Sequence, residues 1–112
     1  MDDTFRIYDL KVEVEAGDRP FVCSHQVGDY FLVEGENLVF PEGCRFSMYS
    51  LSALLPLLPA KVRPLQKNDW ILSDCLIACP DPNCGARFRI TRTKERIQSH
   101  GQCTVVPVPT DL

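Results

Sequence analysis

From Phe5 to Glu15 the chain alternates, with Phe5, Ile7, Leu10, Val12 and Val14 apolar and one phase slip near Tyr8-Asp9. A period of two predicts a strand buried on one face, and the slip predicts a bulge. Ala16 to Pro20 reads as a turn. Gly28-Asp29 is a second turn, feeding a strand over Tyr30 to Glu34. Gly35-Glu36-Asn37 then turns into a short strand over Leu38 to Phe40.

Arg45 to Leu58 carries the helical pattern. Phe46, Tyr49, Ala53 and Leu57 share one stripe, and Leu51, Leu54, Leu55 and Leu58 share another. Only Ser47, Ser50 and Ser52 are left as a polar face. Such a helix needs cover on most sides, from its own domain or from a partner. Phe46, Tyr49, Leu54 and Leu57 are the candidate partner contacts. Pro56 lacks an N–H and clashes with the preceding turn, which predicts a kink or stop near Leu55.

Trp70 to Cys79 reads as a strand buried on both faces, and Ala86 to Thr91 as its hairpin partner after the turn Pro80 to Gly85. Thr93 to Ser99 is expected to form a turn or two of helix with Thr93 as N-cap. Residues 1–104 make a single small domain, and 105–112 a Pro-rich extended tail. The predicted class is α+β: a small antiparallel sheet or partly open barrel of five or so strands. One buried helix and a zinc-knuckle-like hairpin complete it.

A length of 112 residues suits one modest core, and a 45% apolar, 24% charged composition is that of a soluble globular chain. The net charge of −3 argues against the whole chain as a nucleic-acid binder. Residues 1–60 hold ten acids and four bases, whereas 61–112 hold eight bases and five acids. Arg87, Arg89, Arg92, Lys94 and Arg96 make up much of that excess, interleaved with Phe88 and Ile90 on what reads as a buried face. A nucleic-acid surface needs exposed aromatics instead. Met1-Asp2-Asp3-Thr4 has neither a basic nor an apolar leader region, so no signal peptide is expected. No apolar stretch approaches the ~20 residues that span a bilayer. The expected compartment is the cytoplasm, where six cysteines suit ligands or free thiols better than disulfides.

Four of those positions have metal-ligand character. Cys79 and Cys84 are spaced C-x4-C, fifteen residues follow, and His100 and Cys103 complete H-x2-C. Thiolates and imidazole in fours are the ligands of structural zinc, and iron or an iron–sulfur cluster accepts the same thiolates. The alternatives for these cysteines are plain thiols or a disulfide. Cys75 and Cys79, four apart on a regular strand, would lie about 13 Å from each other, so Cys75 is expected to be a small core residue.

Three motifs occur in order: Cys23-x-His25-x-Val27-Gly28-Asp29, then Pro41-Glu42-Gly43-Cys44-Arg45, then Cys79-Pro80-Asp81-Pro82 followed by Phe88-Arg89-Ile90. Over roughly residues 5–92 the chain resembles a family of small uncharacterised prokaryotic proteins. The chain departs from that pattern in having Arg45-Phe46-Ser47-Met48-Tyr49 where an aromatic-rich stretch is usual, and in carrying Cys84. The resemblance brings no activity with it, but it implies Cys23, His25, Cys44 and Cys79 as an alternative metal cluster. On an extended segment Cys23 and His25 would share one face, about 6.6 Å apart. Both ligand sets claim Cys79, so they are alternatives.

No catalytic residue is assigned. Cys23 with His25 is the one close thiol–imidazole pair outside the first zinc quartet. Redox C-x2-C, phosphate-loop, G-x-S-x-G and H-E-x-x-H patterns are missing. The leading expectation is a zinc-stabilised, non-catalytic accessory subunit or interaction module of a larger metabolic enzyme. Its partner would be that larger subunit or a second copy. The alternatives are a small thiol- or metal-dependent enzyme or redox protein using Cys23 and His25, and a nucleic-acid-binding zinc module.

Overall fold

A computed structural model describes residues 2–74 and 76–109. Five strands form one open antiparallel sheet: β1 (Thr4–Ala16), β2 (Tyr30–Glu34), β3 (Asn37–Val39), β4 (Leu76–Ala78) and β5 (Ala86–Ser99). The order across the sheet is β3-β2-β1-β5-β4. The class is therefore α+β, with an open sheet rather than a closed barrel.

The long pair β1–β5 is the spine, running from Thr4↔Ser99 to Ala16↔Ala86. Its register shifts where the phase slip predicts a bulge: Asp9 pairs with Lys94 and Leu10 with Arg92, leaving Thr93 as the extra residue. The buried positions of β1 change parity there, from Ile7 and Asp9 to Leu10, Val12 and Val14. Asp9 is thereby a buried carboxylate. Arg96 grips it with both arms, Nε to Oδ1 at 2.9 Å and Nη2 to Oδ2 at 2.8 Å. The Gly35 N–H donates to the same Oδ1 at 3.2 Å.

Two short helices replace the single predicted one. Ser47 caps α1 (Met48–Leu54), its Oγ accepting from the N–H groups of Tyr49 and Ser50. The helix stops at Leu55, ahead of Pro56, and α2 (Leu58–Val62) resumes beyond it. Leu54, Leu58 and Val62 join Ile7, Leu10, Val12, Val14, Phe31, Val33, Phe88 and Ile90 in the core. The Lys61 ammonium is buried, donating to the Ser73 carbonyl at 2.8 Å and pairing with Asp74 at 3.3 Å. Arg92 holds the end of α2, donating to the carbonyls of Lys61 and Arg63. Cationic donors at helix C-terminal carbonyls satisfy groups that the helix itself leaves open.

The structure corrects three expectations. Thr93 to Ser99 is not helical, because β1 from Thr4 to Asp9 needs backbone partners and residues 94–99 of β5 supply them. Trp70 to Cys79 is not one buried strand. Asp69 caps a 3-10 turn over Trp70–Leu72, and only the edge strand β4 follows, with Trp70 62% exposed. The candidate partner face is mostly used internally: Leu54 is fully buried, and Phe46 and Leu57 pack against the core. Of those four residues Tyr49 alone is open, at 73% exposure. No helix among the described residues is long and apolar enough to cross a membrane. Val105, Val106 and Val108 of the tail are exposed.

Arg96, opposed by burial and aided by the Gly35 N–H, holds the Asp9 carboxyl below its usual range. A depressed folded-state pKa contributes stability above the ordinary carboxylate value and loses it as pH falls through the lowered one. Asp9→Asn is expected to cost about 2–3 kcal/mol at neutral pH. Urea denaturation at several pH values should show the gap to the wild type narrowing in acid.

Candidate functional site

The C-terminal end of β1 and the start of β5 meet a strap formed by residues 17–29, and three cysteines gather there. Cys23 lies on the strap, Cys79 follows β4, and Cys84 precedes β5. The Asp81–Cys84 turn closes through Cys84 N–H to the Asp81 carbonyl at 3.0 Å, with Asn83 N–H on Asp81 Oδ1 at 2.9 Å. The Cys79 N–H donates to the Ala86 carbonyl at 3.2 Å, which ties the two ends of the hairpin.

The strap is laid directly on this turn. Gly17 N–H donates to the Gly85 carbonyl at 2.8 Å, and Gly85 N–H donates to the Pro20 carbonyl at 3.0 Å. A Cβ at Gly85 would sit 1.7 Å from the Arg19 carbonyl oxygen, so the two backbones touch only because position 85 has no side chain. The Val22 N–H reaches Cys84 Sγ at 3.3 Å, and Cys84 Sγ lies 3.4 Å from Cys23 Sγ.

Burial raises the Cys23 and Cys79 thiols, while the backbone N–H groups of His25 and Asp81, each two residues further on, pull them down. At Cys84 burial also works upward. The N–H groups of Ala86, Val22 and Cys23 outweigh it and bring the thiol down to about 6. Donors aimed at sulfur favour the thiolate. Cys84 is 1% exposed and Cys23 half-buried. Cys23 and Cys79 line a cavity of about 300 Å³ with Ser47, Tyr49, Ser50 and Asp81.

The chain thus brings together Cys79 and Cys84 of the first predicted quartet, but not their partners. His100 and Cys103 form the short α3 (His100–Cys103) at the opposite end of β5. A 14-residue strand intervenes, on the order of 45 Å at about 3.3 Å per residue. There His100 Nε2 meets the Val106 carbonyl, and Cys103 Sγ lies 3.8 Å from Gln98 Oε1.

The cluster implied by the family resemblance is split in another way. Cys23 and Cys79 share a cavity, whereas Cys44 lines a different one, of about 420 Å³, with Ser24, Gln26 and Asp29. The Cys44 thiol lies 3.5 Å from its neighbour's carbonyl at Arg45. Cys23 and His25 do not share the face of a strand, because residues 17–29 form none. His25 is 5% exposed, its ring tilted against Phe46 at 4.5 Å and edge-on to Phe88 at 5.4 Å between centroids. Burial pushes its pKa down, against the charge of Asp29, and Nε2 has no hydrogen-bond partner among the described residues. Cys75 lies outside the described residues.

Among the described residues no group of three or more His, Cys, Asp or Glu side chains stands arranged to hold a metal ion. The three thiols supply a thiophilic donor set. The basic run is engaged elsewhere: Arg89 binds Glu15 at 2.6 Å, Arg92 caps α2 and Arg96 binds Asp9. Phe88 and Ile90 are buried.

Gly85→Ala is expected to destabilise the fold by on the order of 2–3 kcal/mol, read as a lower urea midpoint with an unchanged slope. In metal-free protein, thiolate ultraviolet absorbance should rise with a midpoint at about 6 and lose that step in Cys84→Ser. The Cys84 contribution to stability is complete above the ordinary thiol value of 9.0 and is lost as pH falls through about 6.

No family model, curated protein or solved structure matches the chain, so its fold and side-chain chemistry carry the functional reading.

Proposed function

We propose that the chain is a small zinc-stabilised module, non-catalytic itself, whose metal is held by the thiolates of Cys23, Cys79 and Cys84. The observation that carries this reading is the gathering of three cysteines from two distant segments, with Cys23 Sγ 3.4 Å from Cys84 Sγ and Cys23 and Cys79 lining one cavity. Tetrahedral zinc, with Zn–S of about 2.3 Å, sets its sulfurs about 3.8 Å apart. The Cys23–Cys84 separation of 3.4 Å is within a small side-chain rotation of that spacing. Bound zinc would supply a cross-link between the strap and the β4–β5 hairpin, and metal affinity would then count as folding free energy.

The role that suits such a module is an accessory or interaction subunit. Met48 and Tyr49 are exposed at the start of α1, next to the thiol cavity that Tyr49 lines. An exposed aromatic beside an apolar neighbour is a usual anchor for a protein partner. The partner on this reading is a larger protein subunit or a second copy.

Elemental mass spectrometry of the purified protein is expected to find about one zinc per chain. Cys84→Ser and Cys23→Ser should lose it, whereas His100→Ala and Cys103→Ser should keep it. Zinc lost with His100 and kept without Cys23 would return the site to the C-x4-C…H-x2-C quartet. No zinc in any of them would end the metal reading.

A further inference from the structure

We propose that Cys23 and Cys84 are a dithiol that a hydroperoxide converts into an intrachain disulfide, so that the strap–hairpin junction is a site of reversible oxidation. The proposal concerns the metal-free protein and stands independently of zinc binding.

The two sulfurs are already in van der Waals contact, at 3.4 Å, and both cysteines are free. A disulfide is about 2.05 Å long, so closure asks for roughly 1.4 Å of approach, within reach of side-chain torsions. The backbones that carry them are fixed without any help from the sulfurs. The Gly17 N–H donates to the Gly85 carbonyl, and the Gly85 N–H to the Pro20 carbonyl. The encounter between thiols 61 positions apart is therefore built into the fold. Cys44 and Cys103 lie instead against carbonyl or amide oxygens.

Access sets the order of events. Cys23 is half-buried and faces the cavity of about 300 Å³, whereas Cys84 is almost wholly enclosed. Cys23 passes its thiol proton to the Cys84 sulfur 3.4 Å away, and its own sulfur attacks one peroxide oxygen. The O–O bond breaks, the leaving hydroxide takes the proton from Cys84 as water, and Cys23 becomes a sulfenic acid. The Cys84 thiolate then attacks the Cys23 sulfur. The S–S bond forms, the S–O bond breaks, and a second hydroxide leaves. Overall, two thiols and one hydrogen peroxide give one disulfide and two waters. The sulfurs are oxidised, and the peroxide oxygens are reduced. A dithiol reductant reverses the change by exchange. Zinc on the same sulfurs would block it by occupying the lone pairs that attack.

The test is stoichiometric hydrogen peroxide on reduced, chelator-treated full-length protein. The free-thiol count should fall by two, the intact mass should fall by two hydrogens, and peptide mapping should place the link between Cys23 and Cys84. Dithiothreitol should restore both thiols. Cys84→Ser should instead accumulate a sulfenic acid at Cys23 that dimedone traps. If that variant fails to fold, Cys79→Ser serves, and it should still form the Cys23–Cys84 link. A wild-type product with sulfinic acid at Cys23 and no cross-link would overturn the proposal, as would a link running to Cys79. Zinc added before peroxide should protect the pair. A protein that takes up no zinc yet cross-links would remove the metal reading and leave this one standing.

Discussion

Everything in this fold hangs on the pairing of β1 with β5. These are the two longest strands, and they are matched along their whole length, from Thr4↔Ser99 to Ala16↔Ala86. β2 and then β3 add to the outer edge of β1, and β4 adds to β5. The helices lie over the central pair, where Leu54, Leu58 and Val62 meet its apolar residues. A central antiparallel pair satisfies its own backbone groups and offers an apolar face for the rest to cover. The bulge at Asp9 and Leu10 is the one break in that pairing, and there the fold spends a buried ion pair, Asp9 with Arg96.

The same pairing decides which chemistry can assemble. It delivers the end of β1 and the beginning of β5 to one place, so the strap that follows β1 must cross the turn that precedes β5. Gly85 lets that crossing be a backbone contact. Cys23 and Cys84 meet as a consequence, and Cys79 sits at the other foot of the same hairpin. Backbone N–H groups then do the electrostatic work that a lysine or arginine does at many thiolate sites, and they do it inside a partly dry environment where a dipole counts for more.

Much of this was legible in the sequence wherever the signal was local. The bounds of β2, the slip at Tyr8-Asp9, the turn at Gly28-Asp29 and the break at Pro56 each follow from a few neighbouring residues. The failures have a common cause. Thr93 to Ser99 has an N-cap residue and few apolar side chains, but the unpaired backbone of β1 outweighs that local preference. Ligand spacing places Cys79 and Cys84 at one turn correctly, because that too is local. It also joins His100 and Cys103 to them, whereas the structure sets those two beyond the far end of β5, because nothing in the spacing says that the intervening residues run straight. The approach of Cys23 to Cys84 is carried by tertiary packing alone. The one trace of it in the sequence is Gly85, which reads as a turn residue and is also the residue another backbone leans on.

The spine has a temporal side as well. About seventy residues separate the end of β1 from the beginning of β5, so during synthesis the first strand is complete long before its main partner exists. At ribosomal speeds of about 5–20 residues per second, that is a wait of several seconds. β2 and β3 can pair with one edge of β1 early, once the 13-residue strap over 17–29 has been made. The other edge, together with Ile7, Leu10, Val12 and Val14, stays open until β5 arrives. Contacts between residues so far apart in sequence are slow to form and leave strand edges free to find other chains. The clustered charges along β5, and the carboxylates of β1 that await them, give the late strand a strong reason to choose this edge over another.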